Sequence, residues 1–397
     1  MGVFEGMGIN ELEKKQIAFN KVADCIEEHR DEIISVLCEI ETYVTAENEV
    51  DKTIRALRTY HKEQAFLLGR KPSGIIAVFL PYNMPLYSLV LYAFGPIYAG
   101  NKVLVRPSKM TGGQLKAIVD ILGETTDNLD LEIVETGGRL FLERITADKD
   151  ISTIIFTGQW ESVTDISNNL PENKKLIYCG SGVCPMIVRK NADIQVAVDV
   201  AIKSRFFNTG QDCLSTERIL VHSDCFDVFV EELLRRIRGI SPGENINPDT
   251  VIGPLISESI AQRALELVYS SSGTILYESE HSGCVVGPIV VEAASPEEDV
   301  FIYEKFAPVF TLLRVDTDEE MVRIANESEH ILGVTVIGDE YPLDAFVAKH
   351  VEYNRSVLEQ EEDDAHVPFG GFRKSGFVMD SGGRREGPIL FSIETTN

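Results

Sequence analysis

The chain has 397 residues, of which 44% are hydrophobic and 25% are charged, values typical of a globular protein with a sizeable core and enough length for two or three domains. Its 63 acidic and 37 basic residues give a net charge of −26, which repels phosphate backbones and anionic lipid, so we expect no nucleic acid and no membrane as partners. No apolar run reaches the roughly 18 residues that a membrane-spanning helix needs.

Helical periodicity dominates the first part of the chain. Residues Asn10–Leu68 carry apolar side chains at three-and-four spacing, which predicts amphipathic helices. Within this stretch, Glu11–Arg30 is charged and amphipathic, so the sequence predicts no secretory signal at the start.

Short apolar runs then alternate with helical segments. The predicted buried strands are Gly74–Leu80, Lys102–Arg106, Leu131–Val134 and Ile151–Phe156. The predicted helices between them are Leu86–Ala99, Thr111–Gly123 and Glu161–Asn169. Buried strands that alternate with helices indicate a parallel, doubly wound sheet.

A second alternating block begins near Pro185. Its predicted strands are Glu217–Val221, Val285–Val291, Val309–Leu313 and Val334–Ile337, and its predicted helices are Ala192–Phe206 and Phe226–Arg238. The fold class is therefore α/β, with two doubly wound domains in series. The cleft between such domains is the expected place for chemistry.

The number and spacing of the cysteines indicate the redox state of the protein's compartment. The seven cysteines are odd in number and contain no Cys-x-x-Cys pair, so we expect neither a disulfide framework nor structural zinc. The histidines show no metal-binding spacing either, so no metal is expected. These features favour a reducing, cytoplasmic compartment.

The usual glycine-rich dinucleotide turn is absent from the sequence. Gly137-Gly138 follows the strand predicted at Leu131–Val134 but lacks the Gly-x-Gly-x-x-Gly spacing. A nucleotide bound by this chain would therefore not use that turn.

One cysteine stands in a distinctive setting. Residues Phe206–Ser215 read Phe-Phe-Asn-Thr-Gly-Gln-Asp-Cys-Leu-Ser, which places Cys213 beyond a Gly-Gln turn, after a helix and before a strand. A single cysteine is more often structural than nucleophilic. Such a turn can nevertheless present a side chain into a cleft between domains.

Six segments in collinear order resemble motifs of the aldehyde dehydrogenase superfamily. The Cys213 segment resembles its active-site cysteine motif. The other five, which resemble its Pro-Trp-Asn, Lys-Pro-Ser, Phe-Thr-Gly-Ser, Glu-x-Phe-Gly-Pro and Pro-Phe-Gly-Gly-x-Lys-x-Ser-Gly motifs, are Pro81–Asn83, Arg106–Ser108, Phe156–Gly158, Glu304–Val309 and Pro368–Gly376. Each motif is weak alone, whereas six in order from Pro81 to Gly376 are specific.

The resemblance implies an aldehyde dehydrogenase-like fold with the active site between two domains. Residues 1–184 would bind the nicotinamide dinucleotide, residues 185–376 would form the catalytic domain, and residues 377–397 would be a C-terminal return and oligomerisation segment. It also implies NAD(P)-dependent oxidation of an aldehyde to a carboxylic acid, with the Cys213 thiolate forming a thiohemiacetal and then a thioester. Asn83 and the backbone N–H of Cys213 would stabilise the oxyanion.

The same resemblance places the cofactor, NAD or NADP. Leu80, Pro81 and Tyr82 would line the cofactor cleft, and Arg106 would replace a lysine that holds ribose hydroxyls. Glu304 would bind the nicotinamide ribose, with Phe306 packed near the nicotinamide. The remaining cofactor-binding candidates are Ser108, Lys109, Gly158 and Gln159.

Several positions depart from the family pattern, among them Gln159 in place of a serine and Ala307 in place of a glycine, and two bear most directly on the chemistry. Lys109 stands where a glutamate commonly repels a 2′-phosphate, and its positive charge favours NADP. Counting back from Pro185 places Cys179 where hydrolytic members carry the glutamate that activates water. Cys179 is therefore a candidate base, a candidate disulfide partner of Cys213, or a small apolar residue that lines the cleft.

Three functions stay open at this point. Another group could activate water, or an acyl group could pass to a thiol such as coenzyme A, as in acylating members and acyl-thioester reductases. Alternatively, the chain could be a catalytically weakened scaffold. The partner would be a small-molecule aldehyde or an acyl thioester.

The length of the chain and its C-terminal residues lead to three further predictions, on oligomeric state, a last strand and a solvated loop. The chain is short for the family, and too few residues separate Leu68 from Gly74 for the usual protruding hairpin, which favours a homodimer over a tetramer. The composition of Leu390–Ile393 is compatible with a strand. Asp363, Asp364 and His366 are expected in a solvated loop.

Overall fold

The computed structural model describes residues 6–360 and 364–397. The predicted loop residue Asp363 lies outside these ranges. Within them, two seven-stranded sheets dominate, each covered by helices, which confirms the predicted α/β class. No helix among the described residues is both long enough and apolar enough to cross a membrane.

The strands are, in chain order, β1 (Ile75–Phe79), β2 (Lys102–Arg106), β3 (Leu131–Ile133), β4 (Ile151–Thr157), β5 (Lys175–Cys179), β6 (Cys184–Val188), β7 (Thr216–His222), β8 (Thr274–Glu278), β9 (His281–Ser282), β10 (Val285–Val286), β11 (Ile289–Glu292), β12 (Val309–Val315), β13 (His330–Ile331), β14 (Gly333–Ile337), β15 (His350–Tyr353), β16 (Phe372–Arg373), β17 (Gly376–Asp380) and β18 (Gly383–Arg385).

The α-helices are α1 (Ile9–Glu28), α2 (Arg30–Leu37), α3 (Tyr43–Thr59), α4 (Gln64–Leu67), α5 (Pro85–Leu89), α6 (Gly95–Tyr98), α7 (Gly112–Leu122), α8 (Glu124–Asp127), α9 (Gly138–Ala147), α10 (Trp160–Asn168), α11 (Ile194–Phe206), α12 (Ser223–Ile237), α13 (Glu258–Ser270), α14 (Asp299–Ile302), α15 (Asp318–Glu327) and a last short helix, Phe391–Glu394. A π-helical turn, Val90–Phe94, joins α5 to α6.

The first sheet has the strand order β18-β17-β5-β4-β1-β2-β3. Strands β1 to β5 pair in parallel, whereas β17 pairs antiparallel with β5 and with β18. The chain runs from β1 outward to β3 and then returns to the other side of β1 as β4. In parallel sheets this reversal point is where nucleotides bind, beyond the carboxyl ends of the strands.

The second sheet has the order β15-β14-β6-β7-β12-β11-β8 and is parallel except for β8. Its central strands β6, β7 and β12 are almost wholly buried, as expected for strands with helices on both faces. Helix α11 begins after Asp193, whose carboxylate accepts the backbone N–H of Gln195 at 2.9 Å.

The N-terminal helical region packs on the first domain. Helices α1 and α3 bury Phe19, Val22, Val50 and Leu57 in one cluster with the helices that follow β1. The predicted single helix Leu86–Ala99 is interrupted by the π-turn, whose Leu91 and Tyr92 line a cleft. Such turns often occur where a helix must place side chains at a functional site.

Three predictions from local pattern are wrong. The predicted strand Val285–Val291 is two strands, β10 and β11, because Gly287-Pro288 interrupts the run. Leu390–Ile393 contributes to the last short helix rather than to a strand. His366 is not solvated: its side chain is 6% exposed, and its Nδ1 lies 2.5 Å from a carboxylate oxygen of Glu63.

Candidate active site

A cleft of about 650 Å³ opens where the carboxyl ends of β1 and β4 face the turn before β7. All but one of the predicted site residues line it, namely Cys213, Asn83, Cys179, Leu80, Pro81, Tyr82, Arg106, Ser108, Gly158, Gln159, Glu304 and Phe306. The exception is Lys109, which is exposed and is not among the lining residues. The cleft has the size of ordinary ligand and cofactor sites.

The turn that carries Cys213 is built from an unusual backbone. After α11, Asn208 and Thr209 adopt positive φ angles of 47° and 55°, and Gly210 follows at 80°. Asn208 stabilises the turn because its side-chain amide donates to the Gln211 carbonyl at 3.2 Å, and the Gln211 amide donates back to the Asn208 carbonyl at 3.3 Å. The turn leaves Cys213 half-buried in the cleft.

The segment that crosses between the two sheets packs against this turn. A Cβ atom at Gly182 would lie 1.9 Å from the Cys213 carbonyl oxygen, so only glycine fits there. The Cys184 thiol donates to the same carbonyl oxygen at 3.4 Å. The backbone of the candidate nucleophile is therefore fixed by close packing at its carbonyl oxygen.

Asn83 lies in the turn between β1 and α5. Met84, with a φ of 48°, reverses the chain, and Pro85 starts the helix. The Asn83 carbonyl accepts from the Ser88 hydroxyl at 3.2 Å. Asn83 lines the same cleft as Cys213, as an oxyanion donor requires.

Sequence reasoning missed the acidic pair beneath this turn. Glu49 is buried and accepts the backbone N–H of Tyr87 at 2.8 Å, which secures the first turn of α5. Glu41 lies beside it, and burial, together with the charge of Glu49, raises the pKa of the Glu41 carboxyl. Their sequence signal was weak, because acidic residues in amphipathic helices ordinarily face solvent.

The candidate cofactor half is formed by the ends of β1, β2 and β4. The Arg106 side chain donates from Nε to the Thr136 carbonyl at 3.4 Å, and Gly138 at the start of α9 lies against its guanidinium. The Gly158 carbonyl accepts from the Tyr178 hydroxyl at 3.0 Å. These groups surround the reversal point of the sheet, where dinucleotides bind in parallel α/β folds. The volume of the cleft is also large enough for such a ligand.

Glu304 is the most perturbed acid of the cleft. Burial raises the pKa of its carboxyl to about 8, and the nearby charge of Glu217 acts in the same direction. One of its oxygens accepts the Gly182 N–H at 3.2 Å, beside the Cys213 turn. Two residues on, Phe306 has a φ of 52° and meets Tyr82 edge to face at 5.8 Å between ring centroids.

Cys179 ends β5 and is almost wholly buried at the cleft wall. Burial raises the pKa of its thiol to about 12, with a hydrogen bond to Tyr92 opposing the shift. Cys179 and Cys213 are both in the thiol form, so the candidate disulfide between them is not formed. A thiol with this pKa stays protonated near neutral pH, so it is poorly suited to accept a proton.

The cleft contains a cation that the sequence did not single out. Arg263 lines it from α13, and its charge opposes the raised pKa of the Tyr82 hydroxyl, which burial and Glu304 raise. Arginine is well suited to bind the phosphates of a dinucleotide. The sequence analysis did not predict α13, so it gave no indication that Arg263 would line the cleft.

Two helix-covered sheets that meet at a cleft lined by a cysteine and an asparagine are typical of a two-domain α/β oxidoreductase. The chain belongs to the aldehyde dehydrogenase family, whose family model matches residues 3–388. The chain is thus an enzyme of the aldehyde-oxidising class. The predicted family, fold and enzyme class are confirmed.

Individual relatives support the same assignment. The chain is 29% identical to a lactaldehyde dehydrogenase of Methanococcus maripaludis over 371 residues, covering 87% of this chain and 77% of the relative. It is 25% identical to a sulfoacetaldehyde dehydrogenase of Neptuniibacter caesariensis, covering 90% and 84%. A crystal structure of glyceraldehyde-3-phosphate dehydrogenase from Methanocaldococcus jannaschii complexed with NADP superposes with a TM-score of 0.87 at 24% identity, covering 97% and 88%.

Proposed function

We propose that this protein oxidises a small-molecule aldehyde with NAD or NADP, using Cys213 as the nucleophile. The observation that carries the proposal is that Cys213, Asn83 and Glu304 line one cleft at the reversal point of the first sheet. These residues come from three distant parts of the sequence. Each matches a family motif that the resemblance predicted.

The residues divide the chemistry between them. The Cys213 thiolate attacks the aldehyde carbon, so a C–S bond forms and the carbonyl π electrons move to oxygen. Asn83 and the Cys213 N–H donate to that oxyanion. When held by Glu304 and packed near Phe306, the oxidised nicotinamide would supply the acceptor for the hydride that the tetrahedral carbon loses. The acyl group is then held on Cys213 as a thioester.

The cofactor would lie along the ends of β1, β2 and β4. Leu80, Pro81 and Tyr82 would line its path, with Gly158 and Gln159 opposite. Arg106 and Ser108 would hold the adenine-side ribose, and Glu304 would hold the nicotinamide ribose. Lys109, exposed next to Ser108, would favour a 2′-phosphate and hence NADP.

A second candidate concerns how the thioester is released. The residue at the expected base position is Cys179, whose thiol is buried and neutral near pH 7. The carboxylates that do line the cleft are Glu161, Asp212 and Glu304. Asp212 is engaged by the Leu214 N–H at 2.8 Å. This favours transfer to an external thiol such as coenzyme A as the alternative to hydrolysis.

We also propose a homodimer in the reducing cytoplasm, with residues 1–184 and 185–376 as the two domains. Support for the division comes from the sheets, because the second sheet lies within residues 184–353. Residues 377–397 include most of β17 and all of β18, which return to the first sheet. The exposed edge strand β18 is a candidate for contact between copies.

The test combines labelling with turnover. Iodoacetamide should modify Cys213 rapidly, aldehyde with NADP should protect it, and Cys213→Ala should abolish NADPH formation across an aldehyde panel. Turnover that depends on coenzyme A would favour the acyl-transfer alternative. An unreactive Cys213, or full activity in Cys213→Ala, would contradict the proposal.

A further inference from the structure

Three charged side chains with no solvent exposure lie together behind the cleft. The Glu217 carboxylate on β7 contacts Arg205 Nη1 at 2.8 Å and Lys305 Nζ at 3.0 Å. The Lys305 ammonium also donates to the carbonyls of Glu217 and Val300, at 2.8 and 2.9 Å. The three N–H groups of an ammonium are thus matched by three acceptors.

Glu217 also holds the backbone of the loop that carries Glu304. Its two oxygens accept the N–H groups of Lys305 and Phe306, at 3.1 and 3.2 Å. Phe306 has a φ of 52°, which costs a non-glycine residue on the order of 1 kcal/mol or more. The bonds to Glu217 offset that cost and hold the loop in this conformation.

Arg205 connects the same carboxylate to the turn before the nucleophile. It donates to the Thr216 carbonyl at 2.8 Å and to the Gly210 carbonyl. A Cβ atom at Gly210 would lie 2.6 Å from the Ala307 carbonyl oxygen, so the Cys213 turn and the Glu304 loop touch directly. One carboxylate therefore joins both segments.

We propose that Glu217, paired with Arg205 and Lys305, is a positioning residue that sets the Glu304 loop against the Cys213 turn and so determines cofactor affinity. This inference rests on the proposed roles of Cys213 and Glu304. Buried ion pairs contribute little net stability relative to apolar packing, because desolvating the charges is costly. Their directional bonds do fix geometry, and displacements of about 1 Å at a reacting centre can change rates on the order of a hundredfold.

The variant that isolates the network is Lys305→Met. It removes the ammonium but leaves Glu217 paired with Arg205, so the two buried charges that remain form a neutral pair. A matched control is Lys174→Met, because Lys174 is also buried and donates to two backbone carbonyls, those of Asp148 and Ile151, without lining the cleft.

Two readouts report on the site directly. Trp160 is the single tryptophan and lines the cleft, so its fluorescence measures cofactor binding. Protection of Cys213 from iodoacetamide by NADP measures whether the bound cofactor lies close enough to shield the thiol. Lys305→Met should raise the cofactor Kd on the order of tenfold or more and weaken protection in parallel. Lys174→Met should lower Tm to a similar degree without changing either readout.

The outcomes separate this inference from the proposed function. If NADP does not protect Cys213 from iodoacetamide in the wild type, the proposed role of Cys213 itself is overturned. Protection in the wild type with an unchanged Kd in Lys305→Met would overturn the positioning role alone. If Lys305→Met does not fold, hydrogen exchange of the wild type decides: the Lys305 and Phe306 amides should exchange as slowly as those of β7. Rapid exchange of these two amides would refute the positioning role of Glu217.

Discussion

Replacing Glu304 by glutamine should stabilise the protein, and by more at high pH than at low pH. Burial raises the pKa of this carboxyl from its ordinary value of 4.5 to about 8. Below about pH 4.5 the carboxyl is protonated in both folded and unfolded chains. Between about pH 4.5 and pH 8 the unfolded chain releases the proton while the folded chain retains it, so the wild type loses stability as pH rises.

The magnitude follows from that shift. At about 1.36 kcal/mol per pH unit, the wild type should lose about 2–3 kcal/mol between roughly pH 6 and pH 9 through this one group. Glutamine does not titrate, yet its carbonyl oxygen can still accept the Gly182 N–H. The stability advantage of Glu304→Gln should therefore widen by that amount over this interval.

Thermal unfolding of both proteins near pH 6 and pH 9 provides the assay. For a chain of this length the difference in Tm should widen by about 3 °C. Glu161→Gln is the matched control, because Glu161 lines the same cleft but is exposed. A Tm difference between Glu304→Gln and wild type that is the same at both pH values would refute the assignment of a protonated Glu304 with a raised pKa.

Three further substitutions test the site. Asn83→Ala should lower kcat by about a hundredfold to a thousandfold with little change in Cys213 alkylation, since it removes one oxyanion donor; a change below tenfold would exclude that role. Cys179→Ala should leave the pH dependence of kcat unchanged, because the thiol is buried and neutral near pH 7; loss of a limb in that profile would identify it as a base after all. Lys109→Glu should lower kcat/KM for NADP relative to NAD by at least about tenfold, and an unaltered ratio would show that Lys109 does not contact the 2′-phosphate.

The local sequence predicted much of the architecture because burial periodicity is a local property. Strands β1, β2, β4, β7 and β12 lie where apolar runs predicted them, with shifts of a few residues at their ends. Strands β5 and β15 were missed, as were helices α9 and α13. The buried face of α13 consists of the small residues Ala261, Ala264 and Val268, and β15 is buried only at His350, so the apolar contrast in both is weak.

Other features depended on partners distant in sequence. Glu217 and Lys305 are 88 residues apart, and neither carries a local sign of the buried network they form. His366 lies in an acidic stretch that predicts solvent exposure, yet it pairs with Glu63 across 303 residues. A run of charged residues predicts solvent exposure on average, whereas the burial of any one of them depends on which elements pack together.

By itself the sequence determined the family, the order of the chemical motifs and the identity of the candidate thiol and amide, because these depend on residue types at fixed spacing along the chain. Only the tertiary structure decided that Glu304 is a partly buried acid with a raised pKa, that Cys179 is a neutral thiol in the cleft wall and that Lys109 is exposed outside the cleft. These properties arise from desolvation and from charges brought together by folding, which no linear spacing encodes.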